Sequence, residues 1–484
     1  MTAKSRGANR PKQTRRNELL LFGAMFVLLV VKYLNITQLG GNMTQFLAKY
    51  KFVFTDSFDW LATGVTLFHN ESITLRNPGL PLVVKFLNHF GLVYLLPLLN
   101  QLVFLGLVVA VYYTVKHLTK SAKYAGFFAI LVFTNYTFNL LTNYILADMY
   151  AVTAIAIALY LLFTKRYTWS FVALGVSMLF QNFAYFLYIM WCSYYVIEHW
   201  TALKALLNRK GSFRPQKLNV LIPLVIPGLM VLPWHLYKLV IYGNPFYTKV
   251  DQLAVVDPTL SNLSFYSYHA LIMWGPLLLI TIFATVVTLI KKPSFFANKT
   301  ILFLLSGFVF SAVFWGVFYD WPDRRFLLYI TPWFYALSGV IVYRFVPKTP
   351  RLIKYGLAFV AIYIATLPVV FIEGQKTFPL IDDTVVTVDL QAQSEHLRIG
   401  NTEGFDSPLM NVSPTLYDSF DRAAYYKQEE SGKYVTAERM VKLSYDSQKV
   451  CVERDVSVKP YITSSVTLIL HPDVNLDKLK QTCK

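Results

Sequence analysis

Apolar residues run along this chain in blocks separated by short polar stretches, and the block length predicts the elements. About 20 helical residues cross roughly 30 Å of hydrocarbon. Eleven segments approach that length, at roughly 18–38, 92–114, 124–142, 149–164, 169–183, 184–198, 218–241, 268–290, 300–318, 326–343 and 353–372. They predict an all-α polytopic membrane bundle. Beyond residue 372 the period changes from helical to two, as in Val385-Val386-Thr387-Val388 and Val466-Thr467-Leu468-Ile469-Leu470, which predicts strands. The chain is therefore read as a basic amino-terminal stretch (1–17), a membrane part (18–372) and a small external α+β domain (373–484).

The charged positions between the blocks set the orientation, because Lys and Arg near helix ends stay on the cytoplasmic side. With the amino terminus inside, the inner loops hold 23 basic residues and the outer loops 7. Asp56, Asp59, Glu71, Asp148, Asp251, Asp257, Asp320 and Asp323 all fall outside. An odd number of spans then leaves the carboxyl terminus outside. The first block follows six cations without an evident small-residue cleavage site and reads as a retained anchor. Lys32, Lys85 and Lys116 lie near helix ends, from which their ammonium groups can snorkel.

Composition agrees: 55% hydrophobic residues and a mean hydropathy of +0.44 exceed what one soluble core accommodates. The net charge of +18 does not point to nucleic acid, since residues 1–372 carry +22 and residues 373–484 carry −4. The excess is topological.

Candidate chemistry gathers in the external loops. The first contains Thr55-Asp56-Ser57-Phe58-Asp59-Trp60 and the turn Arg76-Asn77-Pro78-Gly79-Leu80-Pro81. Phe54, Phe58, Leu61, Val65 and Phe68 recur at helical spacing, with Asp56, Asp59, Thr63 and Thr66 on the opposite face, which predicts an interfacial amphipathic helix. Asp148 stands at the mouth of the third and fourth spans, where a charge needs a partner or a water-filled cavity. The outer end of the seventh span reads Pro233-Trp234-His235-Leu236-Tyr237-Lys238, followed by Gly243-Asn244-Pro245-Phe246-Tyr247; its aromatic residues fit an interfacial belt. Tyr319-Asp320-Trp321-Pro322-Asp323-Arg324-Arg325-Phe326-Leu327-Leu328-Tyr329 sets two arginines outside, against the general charge bias. They fit either salt bridges or a phosphate at the membrane surface.

The order and sidedness of these motifs resemble the C-type (GT-C fold) membrane glycosyltransferases that use polyprenyl-phosphate sugars, especially the bacterial relatives of protein O-mannosyltransferases and of the aminoarabinose transferase for lipid A. The resemblance covers roughly residues 18–345. It is carried by the acidic motif at Asp56, the Arg76–Pro81 turn, Asp148, Pro233-Trp234 through Tyr247, and Arg325-Phe326-Leu327-Leu328-Tyr329-Ile330-Thr331-Pro332. The chain departs from the pattern at Ser57, where a second acid is usual, at Tyr237-Lys238, where an arginine is expected, and at Gln181-Asn182 in the fifth span, where an arginine is frequent.

The resemblance implies transfer of a sugar from a polyprenyl-phosphate donor to a glycan, lipid or protein acceptor at the extracytoplasmic face. The departing lipid phosphate needs cationic stabilisation, for which Arg324 and Arg325 are candidates with Arg76, His235 and Lys238 as helpers. The acceptor hydroxyl needs a general base, and Asp56 is placed in that role. One base and direct displacement predict inversion. Asp59 and Asp148 then position the acceptor, or hold a divalent ion as in those relatives that use one, with Asp56 and Asp148 as its ligands. No tightly bound cofactor and no His/Cys cluster with zinc spacing is expected. The competing reading is a polytopic transporter or lipid flippase with an external accessory domain, which ought to place ionisable residues near mid-membrane. A partner-binding tail, supported by Tyr417, Phe420, Tyr425, Tyr426 and Tyr434, is a further alternative. Cys451 and Cys483 could form a disulfide in an oxidising compartment or remain two thiols; Cys192 reads as a buried apolar thiol. A bacterial plasma membrane is the preferred location and the endoplasmic reticulum membrane the alternative. Seven Asn-x-Ser/Thr triplets do not separate the two, since Asn298 falls in an inner loop.

Overall fold

In a computed structural model, the protein is described over residues 10–36, 60, 64, 67, 77–207, 220–245, 261–318 and 323–344, with the backbone alone of short strands between 397 and 470. The chain enters through α1 (Arg10–Ile36), whose 27 residues extend about 40 Å at 1.5 Å per residue. Then follow α2 (Gly79–His89), α3 (Leu96–Thr119), α4 (Ala122–Phe133), α5 (Tyr136–Leu141), α6 (Asp148–Phe163), α7 (Tyr167–Phe180), α8 (Phe183–Glu198), α9 (Trp200–Leu207), α10 (Ile222–Tyr242), α11 (Ser261–Lys291), α12 (Lys299–Val313) and α13 (Leu327–Tyr343).

Among the described residues, five stretches are long and apolar enough to cross a membrane: Thr14–Leu34, Val93–Thr119, Ile222–Ile241, Lys299–Phe318 and Arg324–Tyr343. A sixth is the bent pair within α11, where Gly275 takes φ +49° and ψ −134° and the two halves meet at 101°. That conformation suits a residue without Cβ. Shorter apolar helices α4, α6 and α7 complete the bundle. This is a multi-pass membrane protein. The expected eleventh span, 353–372, lies outside the described residues.

Hydrophobic burial explains which helix is central. The Arg324–Tyr343 stretch is 89% buried, whereas Thr14–Leu34 is 22% buried. Leu19, Val27, Leu28 and Leu34 remain exposed on α1, as expected of an outer helix facing lipid. Around α13 the large fully buried rings include Trp333, Tyr329 and Tyr335.

Three expectations need correction. The span read as continuous over 124–142 is broken at Thr134-Asn135: Asn135 caps α5 by accepting from Phe138 N (3.3 Å) and donates to Met273 O (2.6 Å). A side chain that bonds locally to backbone competes with helix continuation. Lys32 does not snorkel. It is buried, and its ammonium donates to Asn139 O (2.6 Å) and Thr142 Oγ1 (2.9 Å). Lys85 donates to Leu67 O (2.6 Å), and Lys116 pairs with Glu18 (2.5 Å). Cys192 is a free, half-buried thiol rather than a buried one.

In the tail, β1 (Leu397–Gly400), β4 (Arg439–Asp446), β5 (Lys449–Asp455) and β6 (Ser465–Leu470) form an antiparallel sheet of order β1-β6-β4-β5, and β2 (Tyr426–Gln428) pairs with β3 (Tyr434–Thr436). The period-two run at 466–470 is thus a strand, β6. The run at 385–388 lies outside the described residues. Cys451 falls in β5, and Cys483 lies outside the described residues.

Candidate active site

Asp148 opens α6, where a carboxylate favours the positive end of the helix dipole. It is only 2% exposed, so its charge depends on donors around it. Tyr329 Oη donates to Asp148 Oδ1 at 2.6 Å, and Gln181 Nε2 approaches the same oxygen at 3.4 Å. Tyr329 comes from the first turn of α13, 181 residues away in sequence. Its ring packs against Trp315 (centroids 5.3 Å, 28°) and Phe183 (5.2 Å, 66°). The partner that Asp148 required is therefore a tyrosine from the late Arg-Phe-Leu-Leu-Tyr motif, joined by the Gln181 of the fifth-span pair.

The Asn77-Pro78-Gly79 turn lies against the same place. A Cβ on Gly79 would stand 2.8 Å from both Leu179 O and Phe180 Cγ, so α2 begins in contact with the end of α7, immediately before Gln181. Phe180 in turn stacks on Tyr150 of α6 (5.0 Å, 13°). Within the first loop, Trp60, Gly64 and Leu67 are buried, and a Cβ on Gly64 would meet Val84 of α2 at 2.5 Å. These positions share four- and three-residue spacing, one residue out of step with the stripe expected from Phe54 to Phe68. Gly64 lets this face approach α2 closely between the buried Trp60 and Leu67. That stripe, with Asp56, Asp59 and Arg76, lies outside the described residues.

The arginine pair precedes α13 in a 3-10 turn, Arg324–Phe326. Asp323 caps it, accepting from Arg325 N (2.8 Å), and its Oδ2 lies 3.1 Å from Arg325 Nε. Arg325 also lies over the Phe326 ring (5.1 Å). Arg324 instead interacts electrostatically with Tyr144, in the loop before Asp148, and with His269. Burial holds the Tyr144 hydroxyl well above its ordinary range, with the Arg324 charge pulling the other way. Tyr144 therefore stays a neutral group at working pH. Tyr266, on the first half of bent α11, accepts from Asp323 N (3.2 Å). The bend thus brings Tyr266 and His269 to the arginine turn.

His235 and Lys238 form a separate group on α10. His235 engages both ring nitrogens, with Nε2 3.0 Å from Tyr185 Oη and Nδ1 2.7 Å from Pro245 O. A carbonyl can only accept, so Nδ1 carries a proton. Lys238 is buried, 5.9 Å from the centroid of Trp234, which is buried in turn and stacked on Tyr237 (5.3 Å, 15°). Trp234 is buried and Tyr237 half-buried, so both rings pack at least partly against protein.

Sequence reasoning missed a set of buried polar residues before Asp148. Asn100 donates to Tyr144 O (2.8 Å) and accepts from Tyr150 Oη (2.6 Å), and Gln101 donates to Thr142 O (3.0 Å). Adjacent amides inside an apolar span were the available signal, because unpaired amides are costly there. Among the described residues, no three His, Cys, Asp or Glu side chains come together. The partners of Asp148 Oδ1 described above, Tyr329 and Gln181, are hydrogen-bond donors.

No family model and no curated protein sequence matches the chain. Its fold does match solved structures of ArnT from Cupriavidus metallidurans. The crystal structure bound to undecaprenyl phosphate matches with TM-score 0.51 and 14% identity, over 84% of this chain and 76% of that one. The apo state matches with TM-score 0.51 and 14% identity, over 72% and 64% respectively. The GT-C fold suggested by the motifs is thus the fold of the chain. At this identity the likeness establishes architecture, and the chemistry rests on the site.

Proposed function

We propose that this protein is a membrane glycosyltransferase that moves a sugar from a polyprenyl-phosphate donor to an acceptor hydroxyl on a glycan, lipid or protein, at the outer face of a bacterial plasma membrane. The observation that carries the reading is the convergence of four distant segments at one place. Gln181 after α7 and Tyr329 of α13 both reach Asp148 of α6, and the Gly79 turn abuts the residue before Gln181. This convergence occurs in a fold shared with a protein crystallised with undecaprenyl phosphate.

In the proposed reaction the acceptor oxygen attacks the anomeric carbon as the bond from that carbon to the phosphate oxygen breaks. The departing lipid phosphate takes the electron pair, and the acceptor proton passes to Asp56. Inversion follows from the single displacement. Asp148 is assigned to orienting the acceptor rather than to taking its proton, since Tyr329 already donates to its Oδ1. Arg324 is the principal group stabilising the phosphate, with Arg76, three residues before Gly79 in sequence, as its helper. Arg325 is held by Asp323 and contributes less. His235 has both nitrogens engaged and Lys238 is covered by Trp234, so both are assigned to shaping the Pro233–Pro245 region. Asp59 is the second acid of the acceptor side. No step passes through a metal ion.

The test is transfer of labelled sugar from a panel of polyprenyl-phosphate donors by the purified protein in nanodiscs, comparing wild type with Asp56→Asn. Release of lipid phosphate that falls by about 10²–10⁴ in the variant, as for loss of a general base, is the expected result. Wild type that turns over no donor, while moving a lipid or solute across the bilayer, would transfer the case to the transporter reading.

A further inference from the structure

The segment between α4 and α6 leads into Asp148, and much of what fixes it comes from buried polar side chains of other helices. Lys32 of α1, 8% exposed, donates to Asn139 O and Thr142 Oγ1. Gln101 of α3, fully buried, donates to Thr142 O, and its neighbour Asn100, 1% exposed, donates to Tyr144 O. The carbonyl oxygen of the Asn100 side chain then accepts from Tyr150 Oη. Asn100 therefore grips the chain four residues before Asp148 and two residues after it. Burying an ammonium and two amides in an apolar bundle is unfavourable unless each is bonded. Neither Asn100 nor Lys32 is hydrogen-bonded to Asp148, and the bonds they make are to residues within 139–150.

We propose that Asn100 is a positioning residue for Asp148, with Lys32 as a second anchor of the same segment. Resting on the glycosyltransferase reading above, this means that the two residues set where the Asp148 carboxylate points without touching substrate. Tyr150 ties the clamp to the first turn of α6, and Tyr329 meets the carboxylate that this turn carries. Displacing that turn by an ångström would misalign the acceptor, which can cost about a hundredfold in rate.

Two measurements decide the matter. The first is hydrogen–deuterium exchange of full-length Asn100→Leu and Lys32→Met in nanodiscs. Amides of residues 139–150 should exchange faster while the rest of the bundle keeps its protection; unchanged exchange in that segment overturns the proposal. The second is a double-mutant comparison of sugar transfer. Asn100→Leu should lower kcat about ten- to a hundredfold with KM for the donor unchanged, and should add little in an Asp148→Asn background. An equal fractional loss in both backgrounds would show a structural role only and overturn the proposal. Tyr150→Phe, which removes one arm of the clamp and leaves the ring stacked on Phe180, covers the case in which Asn100→Leu does not fold. If wild type transfers no sugar, the functional reading fails, and the exchange result still decides whether Asn100 and Lys32 fix the segment.

Discussion

Removing one oxygen atom tests the centre of the site. Tyr329→Phe deletes the hydroxyl that donates to Asp148 Oδ1 at 2.6 Å and leaves a ring of nearly the same shape between Trp315 and Phe183. Tyr329 is 1% exposed and Asp148 2%, so bulk water does not take over the lost bond. Gln181, at 3.4 Å from the same oxygen, is too distant to replace it. A hydrogen bond to a charged group is worth about 1.5–3 kcal/mol, and each ~1.4 kcal/mol is tenfold in rate. If that bond holds Asp148 in its working position, sugar transfer should slow about ten- to a hundredfold, and the unfolding midpoint in detergent should fall. In an Asp148→Asn background the same change removes a bond between neutral groups, worth about 0.5–1.5 kcal/mol, so the two substitutions should couple. The assay is kcat and kcat/KM for labelled polyprenyl-phosphate sugar, with thermal unfolding measured on the same preparations. A Tyr329→Phe protein that transfers at the wild-type rate, or whose loss is independent of Asp148, would refute the assignment of Asp148 to the site.

Arg324→Gln should reduce kcat about 10²–10³-fold, the usual effect of losing a donor at a developing anion. Arg325→Gln should mainly lower the unfolding midpoint, because Arg325 is held by Asp323; equal kinetic losses at the two positions would contradict this division. Gly79→Ala introduces a methyl group 2.8 Å from Leu179 O and Phe180 Cγ. Overpacking of that kind costs about 1–3 kcal/mol and should lower both thermal stability and transfer, whereas a variant as stable as wild type would show that the turn can move away from α7.

Some of this site could be read directly from the sequence. Asp148 announced itself as a charge at the end of an apolar run, and Arg324 and Arg325 as cations on the wrong side of the charge bias. The Asn-Pro-Gly turn was visible as a break, although its contact with α7 was not. What escaped notice were Asn100 and Gln101, and Lys32 was read as pointing the wrong way. Two amides inside a long hydrophobic block lower its mean hydropathy too little to interrupt it, the Val93–Thr119 stretch still being apolar enough to cross a membrane, and a lysine near a helix end looks the same whether it snorkels or turns inward. The break at Asn135 escaped for a related reason, since Thr-Asn-Tyr interrupts neither the apolar run nor its length.

By itself the sequence determined the polytopic helical class, most helix positions and the strand at 466–470, because apolar run length and period are local quantities. Tertiary structure decided which helix is central, where α11 bends, and that Tyr329 meets Asp148. Those outcomes depend on contacts between residues up to 181 positions apart. A buried polar group has no preferred partner until packing excludes water and leaves it only the donors and acceptors that other helices bring within reach.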